Sequence, residues 1–184
     1  AVVVGAGGDG GEAPGPLPAG EGSITYKRWV GVPGSSMSDF PTDAPDEVSQ
    51  VGELKAPTST AEYTADRIQG YITAPLDGNY RFWLACDDNG ELWLSTDESA
   101  EKEVRIAYLL GVDRWAETDE WGKFASQESA LIPLQAGKRY RVDALVKQGV
   151  GGSNLSVGWL KPGDAGVLPS EVIPGRQLSP IPAL

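Results

Sequence analysis

The amino-acid sequence predicts an all-β protein, an antiparallel β-sandwich with barrel-like closure, preceded by a flexible Gly/Pro-rich N-terminal segment. Three observations carry this. From Ser23 onward, about nine short stretches alternate apolar and polar side chains with the period of two that a half-buried strand requires. Turn-forming residues, chiefly Gly, Pro, Asp and Asn, separate them at strand-length intervals. No stretch sustains a 3.6-residue helical period over three turns.

Residues 1–22, AVVVGAGGDGGEAPGPLPAGEG, are a low-complexity segment that cannot bury a core of its own. Residues 23–184 form the single folded domain. Its first strand, Ile24–Trp29, sets Ile24, Tyr26 and Arg28 on one face and Thr25, Lys27 and Trp29 on the other. A polar connector rich in Ser, Pro and Asp runs over 32–50, and Leu54–Pro57 is a candidate return to strand. Arg67–Ala74 reads as a strand, and Pro75-Leu76-Asp77-Gly78-Asn79 as a turn. Tyr80–Cys86 places Tyr80, Phe82, Leu84 and Cys86 on one face. Across Asn89-Gly90, the strongest two-residue hairpin signal, Leu92 and Leu94 share a face.

Val104–Leu109, Ala130–Leu134, Arg139–Lys147 and Asn154–Leu160 complete the strands, with Tyr140, Val142, Ala144 and Val146 pointing one way. Asp113–Ser126 is expected to be a short helical turn or ordered loop. Pro162–Leu184, with five prolines, is expected to run extended over the surface.

Composition narrows the function. The 184 residues contain no His, which removes His-based nucleophile activation and imidazole ligation. A lone cysteine, Cys86, cannot pair within the chain and reads as a small buried apolar residue. With 26 acidic against 15 basic side chains, no nucleic-acid partner is expected, because phosphate binding needs a basic surface. The acidic balance suits hard, oxygen-seeking cations such as calcium. No apolar run is long enough to span a bilayer as a helix.

Two adjacent carboxylates in FWLACDDNGELWLS, residues 82–95, stand out. Taken alone, Asp87-Asp88 beside Asn-Gly reads first as a solvated polar turn, with a cation site as the alternative. A glycosidase pair is the poorer reading, since such carboxylates act across a cleft about 5 Å or more wide from separate elements.

The stretch YITAPLDGNYRFWLACDDNGELWLSTD, with upstream ITYKRW and downstream IPLQAGKRYRVDALVKQGVGGSNLSVGW, closely resembles the protective-antigen-type (PA-fourteen) domain of bacterial adhesins and yeast flocculins. The resemblance spans about Ser23 to Ser179. It implies a β-sandwich and a calcium loop on which Asp87 and Asp88 are joined by a cis peptide. It also implies a second calcium loop, VDALVKQGVGGSN, where Gln148 stands at the side-chain ligand position and residues 149–154, Gly151 and Asn154 among them, supply further oxygens. Open positions on the metal would bridge to sugar hydroxyls. Trp115 and Trp121 are each either a sugar-stacking surface or core, at least one of them core.

The expected function is therefore a non-enzymatic, secreted or cell-surface, calcium-dependent module that binds glycans or cell-surface polysaccharide in adhesion, through Asp87, Asp88, Gln148 and Trp115. The alternative is a structural subunit of an extracellular filament or surface layer, self-associating through residues 1–4, whose apolar Ala1–Val4 can add to a neighbour's sheet edge.

Overall fold

The computed structural model describes residues 19–169 and 171–182. The Ala1–Val4 patch and most of the Gly/Pro-rich segment lie outside them. Eleven strands are found among the described residues: β1 (Ile24–Trp29), β2 (Glu47–Val51), β3 (Ala65–Thr73), β4 (Gly78–Asp87), β5 (Asn89–Leu94), β6 (Val104–Leu109), β7 (Ile132–Leu134), β8 (Arg139–Lys147), β9 (Asn154–Leu160), β10 (Glu171–Val172) and β11 (Leu178–Pro180). They form two antiparallel sheets. The larger runs β2-β1-β3-β8-β5-β6, with β11 extending it beside β3 where β1 stops; the smaller runs β10-β9-β4-β7. The expected sandwich is the observed fold.

The alternation read from the sequence explains the core. Tyr80, Phe82 and Leu84 of β4 face Val142, Ala144 and Val146 of β8, all buried between the sheets. Trp159 packs with its ring centroid 5.6 Å from that of Tyr80 and 6.3 Å from that of Phe82. Each such side chain contributes on the order of 2 kcal/mol from burial alone. Some of the interior polar groups are tightly paired. Asp66, 1 % exposed, accepts hydrogen bonds from Arg28 Nε at 2.7 Å and Tyr26 Oη at 2.8 Å.

The segment 113–126 is, as expected, an ordered loop, and it leads into the 3-10 turn Ala125–Gln127. Two local expectations differ from what is found. The polar connector contains β2 and a short 3-10 turn at Met37–Asp39, whose Ser36 caps it. The proline-rich C-terminal stretch does not merely cross the surface. Ile173 and Leu178 are fully buried, and β10 and β11 add a strand to each sheet. Proline is tolerated there because these strands are short and marginal to the sheets.

Candidate functional site

The site grows out of two strand crossings laid side by side. Asp87, the last residue of β4, is paired with Asn154, the first of β9, in the smaller sheet. Asn89, the first residue of β5, is paired with Lys147, the last of β8, in the larger sheet. The chain thus passes from one sheet to the other through Asp88 alone, and back again through residues 148–153 in the adjacent crossing.

This overturns the hairpin expected at Asn89-Gly90. Both residues belong to a strand, and the strands flanking Asp88 lie in different sheets. The asparagine is there for its amide: Nδ2 donates to Ser35 O at 2.9 Å, and Oδ1 accepts from the Gly111 N–H at 2.6 Å. The glycine is there for lack of a side chain. A Cβ at Gly90 would sit 2.5 Å from Cys86 Sγ and 2.7 Å from the Leu145 carbonyl oxygen.

The Asp87-Asp88 peptide bond is cis. Burial first, then the hydrogen-bonding influence and the charge of the neighbouring Asp88 carboxyl, push the Asp87 carboxyl from the ordinary 3.8 up to about 7, while Lys123 acts in the opposite direction. Asp88 Oδ2 accepts from the Gly149 N–H at 3.0 Å, tying the first crossing to the second. Gln148 is fully buried. Its Nε2 donates to Val150 O at 2.9 Å, but its Oε1 has no hydrogen-bond partner. Asn154 repeats the pattern, with Nδ2 donating to Ala116 O at 3.1 Å and a buried, unpartnered Oδ1.

Gly151 adopts φ +98°, a conformation that favours glycine and lets the second crossing curl. In that crossing the carbonyls of Gly149, Val150 and Ser153 already accept hydrogen bonds from the Tyr63 N–H, Gln148 Nε2 and the Ser59 N–H.

A buried oxygen without a donor costs about 1–3 kcal/mol, so native structures rarely keep one without a use. Here two such amide oxygens flank a carboxylate pair. That donor set, all oxygen and carrying two acidic groups, fits a calcium ion by its chemistry. Among the described residues no three His, Cys, Asp or Glu side chains gather as a metal cluster, so the amides and backbone would have to complete any coordination.

Trp115 flanks this corner. The next residue, Ala116, donates its N–H to Cys86 O at 2.8 Å and receives the Asn154 amide. The Trp115 ring is 36 % exposed, with Lys123 Nζ 3.4 Å from its centroid. Trp121, by contrast, is buried.

Two contributors escaped the sequence reading. The polar connector forms one wall of a cavity of about 650 Å³ bordered by Ser35, Tyr63, Asp88, Asn89, Val112 and Gly149. Lys147 falls on the strand phase opposite to Val142, Ala144 and Val146 and so reads as solvent-facing, yet it is fully buried beneath that connector. Its ammonium donates to the carbonyls of Gly34 at 2.5 Å, Val32 at 2.8 Å and Gln148 at 2.9 Å, using all three protons. Burial lowers its pKa, while the charges of Asp39 and Asp88 act in the opposite direction.

The profile of the PA14 domain matches residues 26–172. The chain belongs to the PA14 domain family. A mouse N-acetyl-beta-glucosaminyl-glycoprotein 4-beta-N-acetylgalactosaminyltransferase 1 is 40 % identical over 95 residues, covering 50 % of this chain and 9 % of that protein. The domain thus spans only a small part of the curated relatives it matches. Among solved structures, the PA14 sugar-binding domain from an RTX adhesin superposes with a TM-score of 0.62 at 11 % identity, covering 85 % of this chain and 97 % of that one. The epithelial adhesin 9 A domain of Candida glabrata, in complex with Galb1-4GlcNAc, gives 0.57 at 11 % identity, covering 89 % and 95 %. At such identity these likenesses establish the shared fold of this PA14 domain.

Proposed function

We propose that this PA14 domain is a calcium-dependent carbohydrate-binding module of a secreted or cell-surface protein, acting in adhesion rather than catalysis. The observation that carries the reading is the pair of buried, unpartnered amide oxygens of Gln148 and Asn154 on the crossings that hold Asp87 and Asp88. When bound, calcium supplies coordination positions that vicinal sugar hydroxyls can fill. Asp87 and Asp88 supply the negative charge, Gln148 and Asn154 neutral oxygens, and Gly151 a backbone carbonyl. Gly149, through its N–H, fixes the orientation of the Asp88 carboxylate.

The cavity beside Asp88 gives a glycan room to reach this corner, and Trp115 offers an aromatic surface at its flank. Binding is favoured over hydrolysis because the two carboxyl groups sit on adjacent residues of a single crossing, not on separate elements facing each other across a cleft. The sugar-binding name of the adhesin domain and the glycan in the Candida glabrata complex support the same reading for this relative. A glycan array probed with and without a calcium chelator tests it. Binding lost on chelation and restored by added calcium is expected; unchanged binding in excess chelator sinks the calcium bridge.

A further inference from the structure

At the far ends of β5 and β6 from the Asp87-Asp88 corner, the sandwich is open. β6 is the last strand of the larger sheet and β7 the last of the smaller. Between them lies an apolar cavity of about 600 Å³ bordered by Leu94, Val104, Ile106, Ile132, Leu134 and Tyr140. Val104 is paired with Leu94, and directly paired residues of an antiparallel ladder point to the same face. Leu94 is 2 % exposed in the core, so Val104 also faces inward, yet it is 57 % exposed. A core-facing valine is left open because, among the described residues, no strand spans the gap between the sheets. Leu131, next to β7, is likewise 56 % exposed.

The free edge of β6 can accept another strand, whereas β7 carries Pro133, which has no N–H to offer. An occupant therefore has to be a short, apolar, β-prone segment. The chain itself has one: Ala1–Val4, followed by fourteen residues, 5–18, before the described structure begins. The chain joins the domain close by. Gly20 and Glu21 donate their N–H groups to the carbonyls of Arg176 and Leu178. The Glu21 carboxylate lies 3.7 Å from the guanidinium of Arg139, the neighbour of the groove residue Tyr140. At about 3.3 Å per residue, fourteen residues reach up to about 46 Å, far enough for another molecule. Docking of the segment in the chain's own groove would leave the full chain monomeric, so the oligomeric state separates the two arrangements.

We propose that Ala1–Val4 of one copy adds as a strand to β6 of another, its valines filling the groove between β6 and β7. Because each copy has one such segment and one groove, the contact is head-to-tail and propagates. The proposal uses a different end of the molecule from the cation site and stands or falls apart from it.

Sedimentation of the full chain and of a chain lacking residues 1–4 tests it. The full chain is expected to grow in mass with concentration and the shortened chain to remain a monomer. A synthetic peptide carrying residues 1–8 is expected to bind the shortened chain saturably, to cap assembly of the full chain, and to bind V104E at least tenfold more weakly. Because the peptide is tested on a chain whose described residues are all native, misfolding of V104E does not shield the proposal. A full chain that stays monomeric, assembly that survives loss of residues 1–4, or a peptide that fails to bind the shortened chain each overturns it.

Discussion

The Asp88 carboxylate accepts a 3.0 Å hydrogen bond from the backbone N–H of Gly149, sixty-one residues further along the chain. This one contact joins the two inter-sheet crossings and sets the acidic pair against the buried amide of Gln148. It leads to a prediction for two variants. Asp88→Asn is expected to weaken calcium binding by more than the ~10–100-fold typical of outer-shell changes, since it removes a ligand charge while keeping an oxygen that can accept from the Gly149 N–H. Gln148→Leu is also expected to weaken calcium binding, yet to change the stability of the metal-free protein little, because deleting an oxygen that has no donor offsets the loss of the Nε2 hydrogen bond to Val150 O. Calcium titration calorimetry together with urea melts of the metal-free variants checks both. Loss of metal-free stability in Gln148→Leu with unchanged calcium affinity would assign that oxygen a purely structural part.

The raised Asp87 carboxyl fixes the direction of a pH effect. Its pKa moves from 3.8 to about 7 in the folded chain, so between those values the folded state holds a proton that the unfolded state has released. Stability of the metal-free protein therefore falls as pH rises through that window, all else being equal. Calcium competes with the proton for the same oxygens, so its stabilising effect is expected to be small near pH 5 and to grow until about pH 7. Thermal melts with and without calcium across this range check it, and Asp87→Asn should flatten the metal-free slope.

Much of this was legible in the sequence because side-chain alternation reports directly on which face of a strand is buried. Spacing alone puts Tyr80, Phe82 and Leu84 on one face, and all three are buried. The wrong turn at Asn89-Gly90 has a physical source: Asn-Gly is a local hairpin signal, while the partners that hold Asn89 and crowd Gly90, namely Ser35, Gly111 and Leu145, are remote in sequence. Lys147 was hidden for a related reason. A lysine on the outward phase of a strand is ordinarily solvated, and only the tertiary path of the connector over it makes three carbonyls available.

That lysine is a positioning residue for the cavity wall. Lys147→Met keeps the length of the side chain but leaves the carbonyls of Val32, Gly34 and Gln148 without their donor. The expected cost is about 2 kcal/mol or more in a denaturant melt. Amide exchange should rise first in residues 32–36, ahead of the strands. Exchange that rises uniformly through β8 and its neighbours instead would place the effect on the sheet rather than on the loop.

Gly90 offers the sharpest distinction between a turn and a crossing. In a hairpin of the type its sequence suggests, this glycine would be needed for a positive φ, and alanine would be strained by its backbone conformation. In the strand observed, Gly90 is not among the positive-φ glycines, and the obstacle is steric: a Cβ would meet Cys86 Sγ at 2.5 Å and Leu145 O at 2.7 Å. Gly90→Ala is therefore expected to cost roughly 1–3 kcal/mol, the usual penalty for overpacking. Adding Cys86→Ala removes the sulfur but not the backbone oxygen, so the double variant should recover part of the loss beyond what the single changes predict when summed. A double-mutant cycle by urea denaturation measures that coupling. Strict additivity would mean that the two side chains do not compete for the same space. The same variants should shift calcium affinity, because Cys86 and Gly90 each lie two residues from Asp88, where the chain changes sheets.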